Sequence, residues 1–449
     1  MEKVSVIMPL FNAAKYLPEA LKGILEQTYT DFELICINDC STDDTAAILM
    51  DFQREDNRIK IMVNKERIGA GPSRNKGLKI AKGKYVIFLD GDDVFGNKLL
   101  ETTCGMMDQY GTDVVLFDAM KHVRSENIHR KRTKEYSQEF VELYCEKPFC
   151  IHDFPARKFP LWSDSIGDKM FLKSFILDNR LEFQSLPSSN DVYFVRMALY
   201  CAGKVIWARS DEILLYTREH SEPSRISNGR DPMCACFAWE KLAEDLAERN
   251  MLQDVQEHFY ITFASVLLNR LRAEKNKEKQ KKFYLFLQNE GIEKCIGFKD
   301  VDLKKIDDYA MYILDGIQKS TYESGRFDVL DTCFQFYIKQ KGEKICRFIT
   351  EKLLQNKNIV LWGLGINGTA LLEYLAEHSI RISGIVDRDE RKQGTVVYEY
   401  VVIKPDFVYQ EVDYILVVSQ EVYWDVKSLV KNAGIEVVNL LDLLTEENR

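Results

Sequence analysis

Three carboxylates crowd the end of one short apolar run in this sequence. Residues 85–89 are apolar and favour a β-strand, and Asp90, Asp92 and Asp93 follow at once. Such a run predicts a buried strand of a parallel sheet, and ligands bind at the carboxyl ends of such strands in open α/β folds. Crowded carboxylates repel one another unless a cation lies between them, and oxygen ligands suit Mg²⁺ or Mn²⁺ accompanied by a nucleotide diphosphate. The alternative is a solvated acidic turn, because Asp-x-Asp alone is a common pattern.

The elements that must position these acids alternate regularly through the preceding residues. Apolar runs predict further strands at 4–8, 32–37 and 59–63, and apolar residues at helical spacing predict helices between them. Thr42, followed by two acids, predicts the start of the second helix, and Pro72 stands near the start of the third. Strand–helix alternation of this kind predicts an α/β fold with a doubly wound sheet.

Four short segments at these strand ends and helix starts resemble the motifs of family 2 glycosyltransferases. They are residues 6–12, 38–43, 74–75 and 88–93, in the order that the family shows. The resemblance covers about the first half of the chain. It implies the GT-A fold and a metal-dependent enzyme that inverts the anomeric centre. Such an enzyme moves a sugar from a nucleotide-diphosphate donor, here expected to be a UDP-sugar, to a hydroxyl acceptor.

The same resemblance implies a set of donor-binding residues. Asp39 would hold the base of the nucleotide, and Arg74 would face its diphosphate. Asp92 would ligate the metal directly, with Asp90 on the ribose or sharing the cation. The alternatives are a helix-capping role for Asp39 and a surface position for Arg74. The donor set is completed by two residues of the first motif, Pro9 and Phe11.

Parts of the donor side depart from the family pattern or match it only loosely. Asn38 stands where the family usually has a second Asp, and Cys40 stands where it usually has Gly. Residues 216–221 resemble the closing segment of the family. The resemblance implies that Arg218 or His220 reaches the diphosphate.

A second constellation resembles the acceptor side of the family. Trp162 and Lys169 match a stretch that shapes the acceptor pocket, and Asn190-Asp191 matches an acidic pair. Because the first member of the pair is Asn190, the resemblance leaves Asp191 alone as catalytic base. An inverting transfer needs one carboxylate to take the proton of the acceptor hydroxyl. The alternative is that Asp191 caps the helix that follows it.

A glycine-rich turn marks a separate unit near the C-terminus. A predicted strand within residues 358–368 ends in Gly363-x-Gly365-x-x-Gly368, a helical pattern follows, and Asp387 comes after the next strand. This arrangement is typical of dinucleotide-binding folds, in which glycines admit a pyrophosphate and the acid binds a ribose. Fewer than a hundred residues remain, which is about one mononucleotide-binding half, so we predict no oxidoreductase activity. The alternative is a Rossmann-like module that packs or recognises a partner.

Length and composition limit the remaining expectations. A chain of 449 residues predicts two or three domains, which we place at 1–230 (GT-A), 231–351 (helical) and 352–449 (Rossmann-like). The helical region is expected to be a spacer or a homo-oligomer contact. A net charge of −9 argues against nucleic-acid binding, and eleven scattered cysteines indicate reduced, cytoplasmic thiols. No apolar run is long enough to cross a bilayer, so we expect membrane contact to be peripheral, at the inner face.

The expected setting is assembly of surface polysaccharide or another glycoconjugate, on a saccharide or lipid-linked saccharide acceptor. This expectation rests on the resemblance alone. Two other classes stay open. One is a phosphotransferase on the same fold. The other is a non-catalytic nucleotide-sugar-binding scaffold, suggested by Asn38 and Asn190 standing where acids are usual.

Overall fold

The chain folds into two compact units. Within its described part the first unit holds residues 3–296 and the second holds residues 314–440. The structure is a computed structural model. It describes residues 3–123, 128–131, 143–153, 164–208, 214–218, 231–274, 276–296, 314, 317, 328–405, 412–418, 420–431 and 433–440.

A seven-stranded sheet forms the centre of the first unit. Its strands run in the order β10-β6-β9-β4-β1-β2-β3, and neighbours are parallel except that β9 is antiparallel to β4 and β6. Four of them were predicted from apolar runs. The bounds are β1 (Val4–Leu10), β2 (Phe32–Asn38), β3 (Ile59–Val63), β4 (Tyr85–Phe88), β6 (Val114–Phe117), β9 (Lys169–Leu172) and β10 (Val205–Ala208).

A second sheet begins directly after the acidic loop. Its order is β5-β11-β7-β8, with β5 (Val94–Phe95), β11 (Leu215–Arg218), β7 (Ala119–Val123) and β8 (Ile128–Lys131). Strand β11 pairs antiparallel with β5 and parallel with β7. Because β5 begins just after Asp93, this pairing brings the end of β11 beside the acidic loop.

Helices connect the strands of the first sheet, as the alternating pattern predicts. They are α1 (Leu17–Leu25), α2 (Thr45–Glu55), α3 (Ala70–Ile80), α4 (Leu99–Tyr110), α5 (Lys173–Asp178) and α6 (Val192–Cys201). Leu17, Leu21 and Ile24 of α1 are fully buried, which is the helix face that the spacing predicts. The second helix begins at Thr45 rather than Thr42. Most of the strands are buried on both faces, as expected for a covered parallel sheet.

Further helices complete the described part of the first unit. They are α7 (Met233–Glu248), α8 (Leu252–Ala273), α9 (Lys277–Phe286), a π-helical turn (Leu287–Gly291) and α10 (Ile292–Ile296). The Tyr193 hydroxyl of α6 donates a hydrogen bond to Asp245 of α7. The Trp239 ring of α7 meets Phe259 of α8 at a centroid distance of 5.0 Å. The helices from α7 to α10 therefore belong to the same compact unit as the first sheet.

The second unit has its own sheet, flanked by helices. Its order is β14-β15-β13-β12-β16-β17, and all pairs are parallel except β14 with β15. The predicted boundary between residues 351 and 352 falls inside α11, and the three-part division stays a prediction. The bounds are α11 (Asp328–Leu354), β12 (Ile359–Trp362), α12 (Ile366–Glu377), β13 (Gly384–Val386), β14 (Val396–Val397), β15 (Tyr400–Ile403), β16 (Tyr414–Val417), α13 (Gln420–Leu429) and β17 (Glu436–Asn439).

Helix length and hydropathy bear on membrane insertion. Among the helices that the structure describes, none is both long and apolar enough to cross a bilayer.

Candidate active site

The carboxylate of Asp39 organises the loop that leads into α3. Asp39 is 2% exposed at the end of β2. Its Oδ1 accepts hydrogen bonds from Asn64 Nδ2 at 2.8 Å and from the backbone N–H of Ile68 at 2.9 Å. Its Oδ2 accepts from the backbone N–H of Gly69 at 2.8 Å. Asp39 therefore holds a neighbouring loop instead of capping the helix that follows it. Its role toward a nucleotide base stays a prediction.

The turns after β1 and β2 fasten to each other. Asn12 Oδ1 accepts from the backbone N–H of Thr42 at 2.8 Å, and the Asn12 N–H donates to Ser41 Oγ at 3.0 Å. Asn38 Oδ1 accepts from the Ser41 N–H at 3.0 Å, so an amide serves this turn without a second acid. Cys40 has a φ of 62°, a left-handed conformation that glycine adopts most easily. This conformation explains why glycine is usual at that position.

Pro9 and Phe11, the two donor residues of the first motif, lie at the same edge. Pro9 is half-buried within β1, beside Ile37 of β2. The Arg67 guanidinium lies over the Phe11 ring at 3.9 Å from its centroid. The structure therefore brings the first two motifs together at the carboxyl ends of β1 and β2, as the parallel sheet predicts.

Arg74 is buried and donates hydrogen bonds to two separate parts of the site. It is 5% exposed, which rules out the alternative of a surface arginine on α3. Its Nη2 donates to Asp90 Oδ1 at 2.7 Å, and its Nη1 donates to Asn190 Oδ1 at 3.0 Å. The guanidinium also lies 5.4 Å from the centroid of the Phe183 ring. Within the described chain its buried Nε has no hydrogen-bond partner. Arg74 thus links the acidic loop after β4 to the residue that precedes Asp191.

Arg218, the last residue of β11, contacts the acidic loop at Asp92 and Asp93. Its Nε donates to the backbone oxygen of Asp92 at 2.9 Å, and its backbone N–H donates to Asp93 Oδ1 at 3.2 Å. Its Nη2 is paired with Glu19 Oε2 at 2.6 Å, and the guanidinium lies 4.6 Å from the Tyr16 ring. The side chain is therefore engaged with the loop and with α1. Its role toward a diphosphate stays a prediction. His220 lies outside the described residues.

The acidic loop holds the two carboxylates at which the sequence predicts a cation. Within the described chain, no group of three or more His, Cys, Asp or Glu side chains is arranged to hold a metal ion. Mg²⁺ in nucleotide sites is commonly held by one or two carboxylates, with phosphate oxygens and water completing the shell. Asp90 and Asp92 offer two carboxylates in one short loop, and the Asp90 side chain keeps 46% of its surface exposed. The metal site stays a prediction.

Asp191 stands at the N-cap position of α6, directly before Val192, but its side chain does not cap the helix. The residue is half-buried, and its side chain makes no capping hydrogen bond to the described start of the helix. Burial raises the pKa of its carboxyl above the ordinary value, Arg74 opposes this effect, and Asp164 and Asp90 add to it. A carboxylate of raised pKa is a better proton acceptor. The structure therefore does not support the capping alternative, and catalysis by Asp191 stays a prediction.

Asn75 and Gly71 position the segment that leads to Asp191, and the sequence analysis missed both roles. Asn75 Nδ2 donates to the Phe183 backbone oxygen at 2.8 Å, and the Phe183 N–H donates to Asn75 Oδ1 at 2.8 Å. A Cβ on Gly71 would lie 2.3 Å from the backbone oxygen of Gln184. The available signal was the position of Asn75 directly after Arg74, but its partner lies 108 residues further along the chain.

Of the two predicted acceptor residues, Lys169 is described by the structure. Trp162 lies outside the described residues. Lys169 is 2% exposed, and its Nζ donates to Asp168 Oδ1 at 2.5 Å and to the Ser165 backbone oxygen at 2.7 Å. Burial lowers the pKa of Lys169, and the Asp168 carboxylate opposes that change. Lys169 is thus paired inside the protein, and its role toward an acceptor stays a prediction.

The glycine-rich turn of the second unit is closely packed. Gly363 has a φ of 95°, and its N–H donates to the Val386 backbone oxygen at 2.8 Å. A Cβ on Gly368 would lie 2.1 Å from the backbone oxygen of Gly363, so glycine lets α12 approach the turn. Gly365 is exposed and stands at the N-cap of α12. This geometry is the strand–turn–helix that the spacing predicts.

Asp387 fastens this turn. It is 7% exposed, and its Oδ2 accepts from the Leu364 N–H at 2.7 Å and from Lys392 Nζ at 3.2 Å. Its Oδ1 accepts from the Asp389 N–H at 2.8 Å. Burial opposes ionisation, yet these hydrogen bonds hold the pKa of Asp387 below its usual range. These hydrogen bonds hold the Asp387 carboxylate within the turn. Its binding of a ribose stays a prediction.

Comparison with known proteins identifies a family domain within the first unit. Residues 5–164 match the family model of glycosyl transferase family 2. The N-terminal part of the chain is a family 2 glycosyltransferase domain. Residues 355–440 match a second model, described as C2185-like, N-terminal.

The curated relatives of this chain include GlyG and TarS. Glycosyltransferase GlyG of Streptococcus pneumoniae is 27% identical over 228 residues, which are 48% of this chain and 71% of GlyG. The poly(ribitol-phosphate) beta-N-acetylglucosaminyltransferase TarS of Staphylococcus aureus is 31% identical over 198 residues, 41% of this chain. The chain spans only 34% of the length of TarS.

A solved structure shows the fold. The crystal structure of residues 1–349 of S. aureus TarS, in complex with UDP-GlcNAc, superposes with a TM-score of 0.56 at 23% sequence identity. The match covers 70% of this chain and 87% of that structure. The prediction of a GT-A fold is therefore confirmed.

Proposed function

We propose that the protein transfers a sugar from a nucleotide-diphosphate donor to a hydroxyl acceptor, with inversion at the anomeric carbon. The observation that carries the proposal is the constellation at the sheet edge. Arg74 joins Asp90 of the acidic loop to Asn190, and the adjacent Asp191 carboxylate has a raised pKa and no capping hydrogen bond. A cationic group and a basic carboxylate close to each other are what an inverting transfer needs.

The chemistry follows from these positions. Asp191 takes the proton of the acceptor hydroxyl while the acceptor oxygen forms a bond to the anomeric carbon. The bond from that carbon to the diphosphate oxygen breaks, and its electron pair leaves with the nucleoside diphosphate. Arg74 stabilises the negative charge on the leaving group, because its guanidinium lies at this edge between Asp90 and Asn190. A divalent cation held by Asp90 and Asp92 would neutralise more of the diphosphate charge.

The donor class is proposed from the relatives. The TarS structure that shares this fold contains UDP-GlcNAc. We therefore propose a UDP-sugar donor, with Asp39, Pro9 and Phe11 beside the nucleoside. Hydrogen bonds already occupy both oxygens of Asp39, so any contact with the base would use their remaining acceptor capacity.

The acceptor class is proposed on the same ground. TarS is named for poly(ribitol-phosphate), and GlyG is named a glycosyltransferase. A saccharide, polyol-phosphate or lipid-linked saccharide of a surface polymer is the acceptor that we propose, with transfer taking place in the cytoplasm.

A screen of donors tests the proposal. The full chain is incubated with individual nucleotide-sugars and Mn²⁺, and release of the nucleoside diphosphate is measured with and without short saccharide acceptors. Acceptor-dependent release from one nucleotide-sugar is the expected result. Binding of a nucleotide-sugar without transfer to any acceptor would favour the scaffold, and transfer of a phosphoryl group would favour the phosphotransferase.

A further inference from the structure

Asn190 stands where the family pattern has an acid, and its side chain contacts Arg74, which also binds Asp90 of the acidic loop. Its Oδ1 accepts from Arg74 Nη1 at 3.0 Å, while Arg74 Nη2 donates to Asp90 Oδ1 at 2.7 Å. The guanidinium is planar, so fixing one of its terminal nitrogens constrains where the other points. The position of Arg74 relative to Asp90 thus depends on residue 190.

The surroundings leave Asn190 little freedom to move. A Cβ added to Gly71 would lie 3.2 Å from the Asn190 Cβ, so the start of α3 packs directly against this residue. Asn190 Nδ2 lies 3.5 Å from the Leu186 backbone oxygen, to which it donates. The amide oxygen is therefore directed at Arg74 by packing on one side and by this contact on the other.

The chemical type of residue 190 also matters. An amide oxygen accepts a hydrogen bond from a guanidinium without adding a negative charge. The only carboxylate that the structure pairs with Arg74 among the described residues is Asp90. An acid at position 190 would compete with Asp90, and with a bound diphosphate, for the same positive charge.

We propose that Asn190 is a positioning residue, which holds the guanidinium of Arg74 against Asp90 and so couples the donor side of the site to the adjacent Asp191. The role rests on the proposed sugar transfer. It assigns a purpose to a position at which this chain lacks the acid of the family.

A double-mutant cycle tests the coupling. Asn190→Ala, Arg74→Lys and the double variant are compared with the wild-type chain by calorimetric titration of UDP in the presence of Mn²⁺. The full contribution of a hydrogen bond to a charged group corresponds to about tenfold to a hundredfold, and this sets the upper limit of the loss in UDP binding when Arg74 is no longer held in place. Asn190→Ala is therefore expected to weaken UDP binding by about tenfold in the wild type. In the Arg74→Lys background it should weaken binding less than about twofold, because lysine cannot bridge two acceptors as a planar fork.

Two further variants separate positioning from general damage. Asn190→Asp keeps an acceptor oxygen for Arg74 but adds a negative charge that competes with the diphosphate, so its UDP affinity should lie between those of Asn190→Ala and the wild type. Asn179→Ala makes the same truncation at a residue whose Nδ2 donates to the Phe175 backbone oxygen, outside the site, and should leave UDP binding unchanged. Thermal unfolding of each variant shows that it is folded.

The outcomes are distinct. Equal effects of Asn190→Ala in both backgrounds would overturn the proposal, as would wild-type affinity in Asn190→Ala itself. Neither result would touch the proposed sugar transfer, which the donor screen decides. If the wild-type chain bound no nucleoside diphosphate, both the coupling and the proposed function would be wrong.

Discussion

Asn75 offers a test of how the base is positioned. Asn75→Ala removes both hydrogen bonds to the Phe183 backbone, at 2.8 Å each, and Phe183 is only 4% exposed. Leaving one buried polar group without a partner costs about 1–3 kcal/mol. Two such groups give about 2–6 kcal/mol. Asn75 itself is half-buried, so water can reach the gap in part, and we expect a loss in the lower half of that range, about 2–4 kcal/mol.

The assay is urea unfolding of the full chain, together with transfer measured well below the unfolding midpoint. Because residues 183–190 lead directly to Asp191, the variant should also lose transfer under conditions in which it is folded. Asn179→Ala is the matched control. It removes one hydrogen bond at the end of α5, to the Phe175 oxygen at 2.9 Å, and should cost less than about 1 kcal/mol with normal transfer.

Two results would refute this reasoning. A stability loss for Asn75→Ala no larger than that of Asn179→Ala would mean that the pairing with Phe183 contributes nothing specific. A clear stability loss with unchanged transfer in the folded variant would mean that the segment does not position the base.

Three further predictions concern protons, metal and the second unit. Burial raises the pKa of Asp191, and a protonated carboxyl cannot accept a proton. The value of kcat/KM should therefore fall as the pH drops through that raised pKa. A fall of kcat/KM centred on the ordinary carboxyl pKa of about 4 would contradict the role of Asp191 as base. Asp92→Asn should weaken UDP binding only when Mn²⁺ is present, because the variant loses a charged ligand of the metal. If UDP bound equally well with and without Mn²⁺, in both the wild type and the variant, the predicted metal site would be wrong. In the full chain we expect no NADH oxidation with any substrate tried. Any binding of NAD or NADP that Gly365→Val leaves intact would show that the glycine turn is not the nucleotide site.

Much of the first sheet was predictable from local pattern. Each of the runs that form β1 to β4 contains at least four apolar residues, and a polar residue follows within two positions or ends the run. The presence of these strands and the edge at which the acids gather therefore follow from sequence alone. The start of α2 could not be predicted in this way. Thr42 has the features of a helix start, but its N–H donates to Asn12 Oδ1 and the Asp43 carboxylate accepts from the Ala14 N–H. These tertiary contacts hold the residues in a turn, and the helix begins at Thr45.

The contacts within the site were less predictable, because they join distant parts of the chain. Arg74 and Asn190 are 116 positions apart, and Arg218 and Glu19 are 199 positions apart. Residue type indicated that each of the two arginines would meet negative charge. It did not indicate that Arg74 would bridge an acid and an amide, or that Arg218 would bind the backbone of the acidic loop. Those partners depend on the pairing of β5 with β11 and on the packing of α3 against residues 183–190.

The second unit shows the same limit. The glycine spacing predicts the turn between β12 and α12, and the structure has it. The fingerprint alone suggested a ribose partner for Asp387. Lys392 Nζ donates one of the hydrogen bonds to that carboxylate. Lys392 lies in a turn whose sequence has no recognisable motif, so this contact was not predicted.

The central claim is that Asp191 is the base of an inverting sugar transfer. Its most direct test is a comparison of Asp191→Asn with the wild-type chain, using the nucleotide-sugar and acceptor found in the donor screen. Both the transfer rate and the affinity for the donor are measured. The substitution keeps the shape of the side chain but removes its ability to accept a proton, so transfer should fall about a hundredfold or more while donor affinity stays within about twofold. Unchanged turnover with weakened donor binding would contradict the assignment.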